Sequence, residues 1–122
     1  MVQNKSYEIR GIRVWEYSAE APVLSTAREA IALIGDAIAC GAKIVIIPAS
    51  CLAPEFFQLP TGFAGEVLQK FVTYGLRVTI IGDVSTFTSN SNALRDLIRE
   101  SNRGTDAWFL ADIDELSARL EA

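Results

Sequence analysis

Glu66 and Asp83 are the residues of this 122-residue chain whose type and position best suit proton transfer. Each follows one of two adjacent predicted strands, which brings both toward the carboxyl edge of a sheet. Two carboxylates sharing a dry pocket have their pKa values pushed apart, so that one serves as acid and the other as base. A small-molecule-binding enzyme acting through Glu66 and Asp83 is therefore one functional class open to the chain. Both residues also have structural uses: Glu66 stands i,i+4 from Lys70 on a predicted helix, and Asp83 can satisfy backbone donors in the turn after a strand.

Leu59-Pro60-Thr61-Gly62-Phe63-Ala64-Gly65-Glu66 carries a second kind of chemistry. Small residues where a helix begins leave backbone N–H groups open to an anion or a carbonyl oxygen, so a small polar ligand suits the site. Thr61, Gly62, Gly65 and Glu66, with Asp83 and Ser85 on the following strand-to-loop passage, form the candidate binding or switch set. The structural alternative has Thr61 capping the helix, Gly62 allowing a sharp turn into it, Gly65 permitting close packing and Glu66 complementing the dipole. No Gly-x-x-x-x-Gly-Lys-Ser/Thr phosphate loop is present, and Glu66 in the first turn repels a polyphosphate.

The chain has no histidine, which removes the usual base of Ser-His-Asp and Cys-His catalysis and the commonest metal ligand. No cofactor is indicated and no structural metal is expected. Cys40 and Cys51 flank one predicted strand, about 17 Å apart against a disulfide limit of about 7 Å, so both are expected to be reduced packing residues. The net charge of −4, with both signs interspersed, gives no cationic field for nucleic acid or an anionic bilayer. The opening Met1-Val2-Gln3-Asn4-Lys5 lacks an apolar signal core, and no apolar run is long enough to span a membrane. The expected address is the cytoplasm.

The elements that position these residues follow from periodicity. Ser6–Ile9 and Ile12–Tyr17 alternate around Arg10-Gly11 as an antiparallel hairpin. Thr26 and Glu29 form a capping box for a helix whose stripe is Ala27, Ala30, Ile31, Ile34 and Ile38. Ile44–Ile47 is a continuous apolar, β-branched run, the pattern of a strand buried on both faces, and Val78–Ile81 repeats that signature. Between them runs an irregular segment, Ala49 to Pro60, followed by a helix with Val67, Leu68, Phe71 and Val72 inward. A polar loop through Gly82–Ser91 precedes a third helix marked by Leu94, Leu97 and Ile98. Ala107–Leu110 is a short strand, and a last helix buries Ile113, Leu116 and Leu120. The order ββαβαβαβα predicts one α/β domain over residues 1–122: a mixed, largely parallel sheet with an N-terminal antiparallel hairpin and about four helices.

Trp15, Phe56, Phe57, Phe63 and Phe87 are more aromatics than loops usually need. Exposed, Phe56 and Phe57 would mark an interface for a protein partner or for a second copy of the chain. Arg95, Arg99, Glu100 and Arg103 form a solvated helix face.

Three blocks, Phe56 to Phe71, Gly82-Asp83-x-Ser85 and Glu100-Ser101-Asn102-Arg103-Gly104, together resemble the bacterial family described as domain of unknown function 4180. More distantly, the strand, loop and glycine-bearing helix resemble the sulphate-transporter and anti-sigma-factor-antagonist (STAS) domains. In those domains a Ser or Thr where the helix begins is phosphorylated to switch a protein partner. That resemblance implies a regulatory or interaction module with Thr61, before Gly62, at the switch position. The group's Asp-Ser-Ser-Gly is here Leu59-Pro60-Thr61-Gly62, without the acidic residue.

Overall fold

The computed structural model describes residues 4–121; the sequence expectation for Met1–Gln3 lies outside them. Tight turning at Arg10-Gly11 pairs Ile9 with Ile12 and folds β1 (Lys5–Ile9) antiparallel onto β2 (Ile12–Glu16). Then follow α1 (Ala27–Ala39), β3 (Ile44–Pro48), α2 (Phe63–Thr73), β4 (Arg77–Ile81), α3 (Ser85–Thr88), α4 (Asn92–Arg103), β5 (Ala107–Leu110) and α5 (Ile113–Glu121). The expected mixed sheet and its order of elements are present. Within the polar loop after β4 the one-turn α3 is an additional helix, preceded by Asp83, whose Oδ1 accepts from Ser85 N at 2.8 Å.

The five strands lie side by side in chain order, β2 to β5 parallel. Each right-handed crossover steps one strand in the same direction, which puts α1, α2 and α4 on one face. Val45, Ile47, Val78, Ile80 and Phe109 meet them there, while Val14, Ile44, Ile46, Trp108 and Leu110 form the other face beneath Leu116 of α5. Because the winding never reverses, the sheet has no topological switch point, the feature that opens a crevice in doubly wound sheets.

Two helix stripes differ from the periodicity. In α1 the buried residues are Ala30, Leu33, Ile34 and Ala37, and Ile31 and Ile38 are 37% and 47% exposed. This helix is apolar on most sides, and the small Ala30 and Ala37 let it sit close to the sheet, which rotates the isoleucines outward. In α2, Ala64, Val67 and Phe71 are buried whereas Val72 is 48% exposed. Cys51 is buried and its thiol donates to Ser18 O at 3.4 Å, but Cys40 is exposed at the end of α1 and is not a packing residue.

The segment from Ala49 to Thr61 is ordered as three consecutive 3₁₀ turns, Ala49–Cys51, Pro54–Phe57 and Leu59–Thr61. Leu24 N donates to Cys51 O at 2.7 Å and Ala53 N to Leu24 O at 3.0 Å, tying it to the chain before α1. Phe56 and Phe57 are 0% and 3% exposed. Phe56 meets Phe57 and Phe63 edge-on, with centroids 5.1 and 6.1 Å away, and Phe57 stacks on Phe87 at 4.3 Å. These two rings are therefore core, not the exposed interface expected from the sequence. Together they plug the carboxyl end of the helix-covered face, each contributing about 2–3 kcal/mol of apolar burial.

Candidate functional site

Thr61 closes the last 3₁₀ turn and is exposed. Its hydroxyl lies 2.8 Å from both Glu55 O and Gln58 O, which share its single hydrogen, and accepts from Phe63 N at 3.2 Å. One side chain thus joins the aromatic turn Pro54–Phe57 to the first residue of α2. Gly62 follows with φ 77°, a left-handed conformation that turns the chain sharply into the helix and that L side chains adopt at a cost. Glu66 sits exposed in the first turn of α2, and it forms no ion pair with Lys70 among the described residues.

Gly65 is not the close-packing residue expected. A β-carbon there would meet no heavy atom within 4 Å. The residue lines a groove of about 350 Å³ between α2 and α4, away from the turn into α2.

Asp83 lies on the carboxyl edge after β4. Its carboxylate is held below the usual range first by the backbone N–H of Ser85 and then by the Ser85 hydroxyl. Hydrogen bonds to the charged form favour ionisation, the opposite of what a general acid needs near neutrality. Two depressions meet at Gly82-Asp83: one of about 440 Å³ toward Ser85 and Thr88, the other of about 430 Å³ toward Ala49, Ser50 and Phe87. Asp83 lines both, Ser85 lines the first, and Glu66 lines neither. The fold brings Asp83 and Ser85 together and leaves Glu66 with Thr61 and Gly62 at the start of α2. Among the described residues no three His, Cys, Asp or Glu side chains gather as metal ligands, and no helix is long and apolar enough to cross a membrane.

The family model for the domain of unknown function DUF4180 matches residues 9–120. The chain belongs to the DUF4180 family. No curated protein and no solved structure matches it.

Two residues of this DUF4180 domain carry structural weight that the sequence reading did not assign to them. Asn102 accepts from Phe109 N at 2.7 Å and donates to Phe109 O at 3.1 Å, so that its amide takes the place of a neighbouring strand on the free edge of β5. Phe87 covers Phe57 from the far side of the Gly82 turn. Local patterns identify neither, because each partner is distant in the chain or chosen by packing. The available signal for Asn102 was an amide near the end of a helix leading straight into a short edge strand.

Proposed function

We propose that the DUF4180 domain is a cytosolic, non-enzymatic regulatory module that binds a protein partner and is switched at Thr61. The observation that carries this reading is the Thr61 hydroxyl, exposed yet joining Glu55, Gln58 and Phe63. A protein kinase would transfer the γ-phosphoryl group of a nucleoside triphosphate to Thr61 Oγ1, which gives up its proton, and release the nucleoside diphosphate. The modified oxygen no longer donates to the two carbonyls, and a nearly doubly negative group then stands beside them. The start of α2 favours that charge and Glu66 opposes it. Their combined effect is to loosen the Pro54–Phe57 turn from α2 and alter the surface offered to a partner.

The test compares tagged wild type, Thr61→Val and Thr61→Glu. Thr61→Glu should raise amide exchange in residues 54–63 and recover a different set of partners from host cells. Identical exchange and identical recovery would remove the switch.

A second reading is favoured by the two depressions that share Gly82 and Asp83: a small polar ligand bound at this edge, with Ser85 beside it. A ligand screen followed by thermal shift tests it, since binding there must weaken in Asp83→Asn. An acid–base enzyme using Glu66 and Asp83 draws less support, because Glu66 lines neither depression and Asp83 is held ionised.

A further inference from the structure

We infer that the groove between α2 and α4 docks a helical segment of a protein partner, one that carries a large apolar side chain within a turn of lysine or arginine. The inference rests on the interaction-module reading and names the partner's chemistry. Gly65, Leu68 and Val72 stand at i, i+3 and i+7 along α2 and make one wall, and Glu100 of α4, Ala107 of β5 and Asp106 also line the groove. The space of about 350 Å³ is large enough for a bulky side chain and lies at the lower end of the sizes of ligand pockets.

Gly65 is the residue that most needs an explanation. It is the third residue of α2, has no positive φ, and its missing β-carbon would point into open space. Neither the backbone nor the domain's own packing requires glycine at this place in the first turn, and glycine is a poorer helix former than any residue but proline. Its effect is a notch in the ridge ahead of Leu68, and helices pack by seating the side chains of one in the gaps of another. Val72, half exposed in the same wall, extends the apolar contact.

Charge selects the occupant. The groove lining holds two carboxylates and no cation. Arg103 pairs with Glu100 at 3.1 Å, but both are exposed, and such surface pairs are weak enough to exchange partners. The Arg77 guanidinium is held over the Trp108 ring at 4.7 Å and donates through Nε to Thr105 O at 2.8 Å, so it is already engaged and is not part of the groove lining. The net charge of −4 further favours approach by a basic segment.

The test is a selection from a displayed library of helical peptides against the full chain. Enriched peptides should pair Leu, Phe or Trp with Lys or Arg within one turn, and lose about tenfold or more in affinity against Gly65→Leu and against Asp106→Lys. Amide shifts on titration should centre on Leu68, Val72 and Ala107. Gly65→Leu points into open space and should fold; should it not, the exposed Asp106→Lys carries the same prediction. Enrichment without basic residues, equal binding by both variants, shifts centred elsewhere, or no enrichment overturns the inference. Thr61→Glu separates it from the switch. Groove peptides that bind this variant unchanged keep the docking site and count against the switch, whereas altered partner recovery without groove peptides does the reverse.

Discussion

Replacing Gly82 by alanine probes the carboxyl edge at its tightest point. Gly82 has φ 134°, and a β-carbon there would lie 3.3 Å from Ala49 Cβ, while its N–H donates to Leu110 O at 3.0 Å and fixes the turn against β5. Holding a non-glycine residue in such a backbone region costs about 1–3 kcal/mol. The methyl contact adds to that, because Ala49 belongs to an ordered 3₁₀ turn and can retreat only by shifting backbone. We expect Gly82→Ala to lose roughly 2–3 kcal/mol, a fall in Tm on the order of 10 °C for a domain of this size. Urea unfolding followed by the fluorescence of the buried Trp15 and Trp108 measures it. Repeating the substitution in an Ala49→Gly background removes the methyl contact but not the positive φ, so most of the loss should remain. A Gly82→Ala protein within about 0.5 kcal/mol of wild type, or full recovery in the Ala49→Gly background, would refute the argument from backbone strain.

Asn102→Ala should cost about 2 kcal/mol, since it strips partners from the N–H and C=O of the buried Phe109; with the edge of β5 uncovered, light scattering should also report concentration-dependent association. Phe56→Ala should cost about 3–5 kcal/mol by cavity formation in urea titration, with Phe56→Leu much milder, because the ring is core. Glu29 and Asp83 both have lowered pKa values, Glu29 first through Ser25 N–H and then through the Ser25 and Thr26 side chains, Asp83 through Ser85. Their contribution is fully present above the unfolded carboxylate pKa near about 4 and is lost as pH falls through the lower folded values. Acid titration of amide exchange at the starts of α1 and α3 should therefore steepen below that pH, and Glu29→Gln and Asp83→Asn should flatten the response at their own helix.

Much of the architecture was legible because it is local. Continuous β-branched runs at Ile44–Ile47 and Val78–Ile81 can only be strands buried on both sides, and the Thr26–Glu29 capping box closes at the start of α1, with Glu29 N donating to Thr26 Oγ1 at 3.2 Å and Thr26 N to Glu29 Oε1 at 3.0 Å. The alternation of these elements set the parallel sheet and put Asp83 on its carboxyl edge. Nothing local states which side of an apolar helix meets the sheet, so Ile31, Ile38 and Val72 were misplaced. Phe56 and Phe57 read as an exposed pair because loops usually lie on the surface. Their burial depends on where the Ala49–Thr61 turns cross the open end of the core and on Phe63, Phe87 and Phe109 arriving from three other elements. The candidate site divides in the same way. Residue type and place in the order of elements marked Thr61, Gly62, Gly65, Glu66, Asp83 and Ser85, but only the packing of helices on a sheet that never reverses its winding separated them. Thr61, Gly62 and Glu66 stand at the start of α2, Asp83 and Ser85 at the Gly82 turn, and Gly65 in the groove facing α4. Proximity between elements distant in the chain is set by the tertiary fold, which no spacing within a single element encodes.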